Sequence, residues 1–131
     1  MSETEIRISA PKGLSTQELE GKLNQVLRKS ETELIAIAKK HSADLSSLNV
    51  EDVRKLCQAE LPVRPVGGGV DPVTIALLVS LTPLVKALTP ILKPGVKSAS
   101  KVAEKIALDV WEHMKTKMWE NDHVVLREKK N

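Results

Sequence analysis

Phenylalanine and tyrosine are absent from the chain, and Trp111 and Trp119 are its only aromatic residues. A core drawn from 131 residues must therefore be packed from Leu, Val, Ile and Ala, with two indole rings as its only large fillers. The same shortage removes any aromatic platform for base stacking and, with no recognisable recognition module, argues against nucleic acid as a partner. Cys57 is the single cysteine, so no internal disulfide can form. It falls in the helical pattern "VEDVRKLCQAEL" with no base placed beside it by local spacing, and reads as a small buried apolar residue, not a nucleophile.

Chemical signatures are missing too. His41, His113 and His123 share no metal-ligand spacing with one another or with Cys57, and neither HExxH nor CxxC occurs. No serine sits in a nucleophile elbow, and the adjacent Glu51 and Asp52 are accounted for by the helix start they occupy. Gly67, Gly68 and Gly69 resemble a phosphate-cradling loop only in composition, because "VDP" follows where Gly-Lys-Ser/Thr is required. The expectation is a protein with no catalytic, cofactor-binding or metal-binding residues, acting by association and not as an enzyme.

Charge is unevenly divided. Residues 1–66 hold ten Lys/Arg and ten Asp/Glu, whereas residues 67–131 hold ten and seven, so the net +3 belongs to the second half. That asymmetry suits either plain solubility or an anionic partner for the second half. The opening "MSETEIRISAPKG" has neither the basic nor the apolar region of a secretory signal. Cytoplasmic residence, with membrane association on activation, is the expectation.

The first half reads as three short amphipathic helices after an alternating stretch, "TEIRIS", that is closed by Pro11 and Gly13. Ser15 with Glu18 opens the first helix as a capping box, Ser30 is the expected cap of "ETELIAIAKKH", and Asn49 that of "VEDVRKLC". "LPVRPVGGGVDP" then interrupts every pattern, and residues 63–71 read as a Pro/Gly hinge between a helical region, 1–62, and a second region, 72–131.

From Val73 to Leu92 the chain carries one charge, Lys86. Twenty residues match the roughly 30 Å hydrocarbon thickness of a bilayer, but Lys86, Pro83 and Pro90 argue against a simple span. Two readings follow: a Pro-kinked helix in a soluble core, or two short helices that insert into lipid once released. Asp71 caps this element, Pro72 fits its first position, and an amphipathic helix over residues 97–119 pairs with it as a hairpin. The tail "DHVVLREKKN" either pairs with "TEIRIS" or frays. The predicted fold class is all-α, with short terminal strands as an option.

Six apolar residues of the run, Leu77, Leu78, Leu81, Leu84, Val85 and Leu88, form the expected membrane- or partner-binding surface. Lys93, Lys97, Lys101 and Lys105 recur every fourth residue as a basic stripe suited to anionic headgroups, and Trp111 and Trp119 suit the lipid–water boundary. Each has a plainer role as well, since a solvated helix face tolerates lysines and a core accepts tryptophan. Gly67 to Gly69 would let the N-terminal helices act as a restraint, uncovering the run on a signal. The rival is a soluble adaptor or self-associating module whose hairpin binds protein.

The order of parts, a charged helical half, "PVRPVGGGVDP", "VTIALLVSLTPLVKALTPIL" and "KVAEKIALDVWEHM", resembles small effectors and effector-associated modules of bacterial defence systems over residues 62–119. Such proteins accompany caspase-like or trypsin-like proteases or signalling ATPases. The resemblance implies an adaptor or a cell-killing effector, with a protease or ATPase partner, and carries over no individual residue.

Overall fold

The computed structural model describes residues 4–46, 49–66 and 74–128. In chain order its elements are β1 (Glu5–Pro11), α1 (Thr16–Arg28), α2 (Glu31–Lys40), α3 (Val50–Cys57), β2 (Val63–Pro65), β3 (Thr74–Ser80), α4 (Thr82–Leu88), α5 (Ala99–Asp122) and β4 (Arg127–Glu128). The described strands make a four-stranded antiparallel sheet in the order β2-β3-β1-β4. The fold is therefore a mixture of helix and sheet, and the all-α expectation is corrected.

The correction turns on the apolar run. Its first seven described residues, Thr74–Ser80, are not helix but the strand β3, hydrogen-bonded to β1 on one side and β2 on the other. A short continuous apolar stretch cannot be told from a buried helix segment by periodicity, and here Leu77, Leu78 and Val79 are all buried although they alternate between the two faces of the sheet. Pro83 does not kink a helix but starts one, in the first turn of α4, and Pro90 opens a 3-10 turn, Thr89–Ile91. Only the later part of the run is helical and lies against α5. The expected hairpin of residues 72–92 on 97–119 is accordingly replaced by a strand, a two-turn helix and α5. Asp71, Pro72 and the hinge residues Gly67, Gly68 and Gly69 lie outside the described residues; Val63–Pro65, the start of the expected hinge, is strand.

Register fixes the two faces of the sheet. Ile6 opposes Val79, Ile8 opposes Leu77 and Ala10 opposes Ile75, and Val63 joins the same face opposite Val79. Ile8, Leu77, Val79 and Val63 enter one apolar cluster with Leu23 and Leu27 of α1, Leu84 and Leu88 of α4, and Ile106 and Trp111 of α5. The helices thus cover one side of the sheet. Each fully buried aliphatic side chain contributes about 1.5–3 kcal/mol, so the run stabilises the interior between chain segments that the sequence separates.

Local signals hold the elements in place. Ser15 Oγ accepts the Glu18 amide at 3.0 Å, and Asn49 with Asp52 forms a reciprocal capping box. Ser30 departs from its expected role: it makes no side-chain cap, and its hydroxyl instead donates to the Val26 carbonyl at 2.6 Å. At the far end of α5, His123 adopts a left-handed conformation, φ 54°. Its amide donates to Trp119 and that of Val124 donates to Met118, which ends the helix and turns the chain into β4.

Candidate partner-binding groove

The structure distributes the sequence-predicted site residues among three environments. Leu77, Leu81, Leu84 and Leu88 are at most 1% exposed and belong to the core, so they present no surface for lipid or protein. Val85 is half-buried and packs on that core, whereas Leu78 points to the opposite face of the sheet. Trp111 is fully buried, and its indole N–H donates to Glu128 Oε1 at 2.7 Å, tying β4 to α5. Trp119 is half exposed and meets the His123 ring edge-on at 5.3 Å. Lys93, Lys97, Lys101 and Lys105 are all exposed, but Lys93 and Lys97 precede α5, so the expected four-residue helical stripe is corrected to Lys101 and Lys105 on one helix face.

An apolar concavity lies elsewhere, between α2 and α3. Its volume is about 470 Å³. Ile35 and Ala38 line it from α2, Val50 and Val53 from α3, and Leu45 from the connection between the helices. This connection is held from below: Leu45 bridges to Leu92, the Ser46 amide donates to the Ile91 carbonyl at 2.9 Å, and the Lys93 amide donates to the Asp44 carbonyl at 2.9 Å. Lys93 and Lys39, both exposed, are the only charged residues among the described lining residues. Of the predicted residues that are described, Lys93 alone lines this site.

Two ties to α5 fix the groove's α2 wall. At its start Ser30 Oγ lies 3.0 Å from His113 Nε2, and because the serine proton goes to Val26, the ring nitrogen is the donor. The arrangement orients α2 and does not activate a serine. At its end His41 bonds to Asp109, joined by Lys40 at 3.4 Å. Burial pushes the Asp109 carboxyl up, but hydrogen bonding from His41 and the charge and hydrogen bond of Lys40 outweigh it, leaving it below its ordinary value. Burial lowers His113. In α3, burial raises the Cys57 thiol, and the Glu31 and Glu33 charges push the same way, which keeps it protonated and unreactive.

The signal for this groove was present but faint. Val50 opens α3 three residues before Val53 and seven before Cys57, so it continues their face to the end of the helix, and it is 48% exposed. An apolar residue on the buried stripe that stays open to solvent is a feature periodicity alone does not show. Among the described residues no group of three or more His, Cys, Asp or Glu side chains is placed to hold a metal ion. No helix among the described residues is long and apolar enough to cross a membrane. Comparison with family models, with curated proteins and with solved structures returned no significant match.

Proposed function

We propose that this protein is a non-enzymatic interaction module, a soluble adaptor that binds the apolar ridge of a partner helix in the α2–α3 groove. The observation that carries the reading is the lining itself: Ile35, Ala38, Leu45, Val53 and a solvent-open Val50, with neutral Ser42, Ser46 and Asn49 beside them and lysine the only charge among the described lining residues. A helix laid in such a groove anchors through apolar residues at i, i+3 and i+4. Acidic residues on its flanks would meet Lys39 and Lys93. The occupant is thus an amphipathic helix with an acidic border.

The membrane-inserting reading is less favoured on energetic grounds. Inserting Leu77, Leu81, Leu84 and Leu88 into lipid means withdrawing β3 from between two strands and opening the core on which the helices rest. Several buried side chains at about 1.5–3 kcal/mol each oppose that step before lipid returns anything. Peripheral attachment through the exposed lysines would leave the fold intact and is the form of membrane association compatible with this architecture.

The test is site-specific photocrosslinking from Val50 in the living host, with exposed Arg28 of α1 as the control position. A discrete protein adduct from Val50, absent from Arg28 and lost in Lys39→Glu/Lys93→Glu, supports the groove. Equal labelling from both positions, or no adduct from Val50 together with leakage of anionic vesicles by the intact protein, replaces this reading with the membrane one.

A further inference from the structure

The face of the sheet turned away from the helices carries three arginines from three strands. Register places Arg64, Leu78 and Arg7 side by side in one row across β2, β3 and β1. The next row holds Ala76, Ser9 and Arg127 across β3, β1 and β4. Leu78 is only 8% exposed, yet it is not part of the helix-covered core. Its flanking neighbours in the row are Arg64 and Arg7, whose aliphatic stems are suited to shielding it. Among the described residues the three arginines make one ion pair, a long one. Arg64 approaches Glu5 at 3.8 Å with its side chain 70% exposed, and Arg7 and Arg127 form no ion pair among the described residues.

We infer that this face, whose arginines are exposed while Leu78 and Ser9 beneath them are 8% and 9% exposed, is a second docking surface, independent of the groove, for an acidic helical segment of a protein partner. Charge complementarity selects the occupant. Guanidinium groups present paired N–H donors that match a carboxylate in a bidentate fork, and exposed arginines with at most one long ion pair among the described residues suit that role. Geometry sets the spacing: Arg7 and Arg64 lie two strands apart, roughly 10 Å. A helix laid across the strands presents residues seven apart at about the same separation. The segment therefore carries carboxylates at i and i+7, with an apolar side chain between them over the arginine stems and Ala76.

Two other occupants fit less well. A second copy of this chain, packed face to face, would set arginine rows against arginine rows with Glu5 as the counter-charge. Nucleic acid phosphates would satisfy the arginines, but single-stranded binding also draws on stacking, and the chain's two aromatic residues are both on α5, with Trp111 enclosed in the core. The groove lies in the helix layer and the arginines on the opposite side of the sheet, so two partners can be held at once. That is the arrangement an adaptor needs.

The experiment is a nuclear magnetic resonance titration of the full-length protein, observing backbone amides and arginine Nε–H groups. The probe is a helical peptide with Glu at positions seven apart and Leu midway, against the same peptide with Gln for Glu, and against a single-stranded oligonucleotide. Expected are shifts confined to Arg7, Ser9, Arg64, Ala76, Leu78 and Arg127, weakened by salt, and at least tenfold weaker binding by Arg7→Gln/Arg64→Gln with unchanged circular dichroism. Val50→Glu should leave this binding intact, which separates the surface from the groove. No shifts on this face at millimolar peptide, equal binding of the Gln peptide, or tighter binding of the oligonucleotide overturns the proposal, as does concentration-dependent dimerisation that the arginine substitutions abolish.

Discussion

Asn24 of α1 meets the Leu61 backbone with both ends of its amide: Oδ1 accepts the Leu61 N–H at 2.7 Å and Nδ2 donates to the Leu61 carbonyl at 3.2 Å. Both groups are buried, and Glu20, one turn earlier, accepts the Val63 amide at 2.8 Å. A helix thereby holds the short edge strand β2. It also occupies an edge N–H that would otherwise invite another chain.

Replacing Asn24 with Leu keeps the side-chain volume but strands the Leu61 N–H and carbonyl without partners. Each buried group left unpaired costs about 1–3 kcal/mol. Urea denaturation should show Asn24→Leu destabilised by roughly 2–4 kcal/mol, with Glu20→Gln affected less because its amide oxygen can still accept. A loss below measurement error for Asn24→Leu would mean that water replaces the bonds and β2 is not held this way.

Cys57 should react slowly with a thiol reagent in the native protein and at the ordinary rate once unfolded, since burial and the nearby Glu31 and Glu33 charges disfavour its thiolate. A native reaction as fast as that in denaturant contradicts the buried placement.

What the sequence revealed followed the range of each interaction. The Ser15 and Asn49 caps were legible because a cap and its partner lie three residues apart. β1 was legible because Ile6 and Ile8 alternate with Glu5 and Arg7. β3 was not, because Thr74–Ser80 has the composition of both a buried helix turn and a central strand, and its partner β1 lies far away in the chain. That Arg7 faces away from Ile8 could be read from alternation. That it stands in one row with Arg64 depends on register, which single-strand patterns do not contain. Ser30 fits an N-cap by residue type, but its hydroxyl bonds back to Val26 four residues earlier, a local alternative to capping, and meets His113 only through the tertiary approach of α5.

The two tryptophans give an optical check on the core. Trp111 is fully buried and Trp119 is 52% exposed, so native emission should separate into a shielded blue component and a component quenched by iodide. Trp119→Phe should remove most of the quenchable part and shift the maximum to the blue. If quenching persists unchanged, Trp111 is not in the interior and β4 is not anchored to it.

Acid should destabilise the protein in two steps. His113 titrates below its ordinary value of 6.5 in the folded state, so an unfolded chain takes up its proton first and stability falls as pH drops from about 6.5 until the folded imidazole also protonates. Asp109 is held below 3.8; its contribution is present above that value and disappears as pH falls through its folded pKa. Thermal melts at intervals between pH 8 and 3 should show both declines. His113→Gln should remove the first and Asp109→Asn the second; a profile identical to wild type in either variant refutes that assignment.

The apolar run and the exposed lysines make separate predictions about lipid, because the fold separates them. Leu81 and Leu88 are 1% exposed, so Leu81→Glu or Leu88→Glu buries a carboxylate in the core and should unfold the chain, at a cost above about 4 kcal/mol. Such variants do not test membrane binding. A fragment of residues 70–131 likewise lacks β1 and β2, leaving both edges of β3 unpaired, and should aggregate with or without vesicles. The informative variant replaces Lys97, Lys101 and Lys105 with Gln, since all three are exposed. Lys93 is left in place because it also lines the groove. If the intact protein associates with anionic vesicles, the triple variant should lose at least tenfold in affinity while its melting temperature stays put. Neither protein should release vesicle contents, because leakage requires the interior to open. Content release by the intact folded protein, undiminished in the triple variant, would mean that the run leaves the core after all, and would return function to lipid insertion.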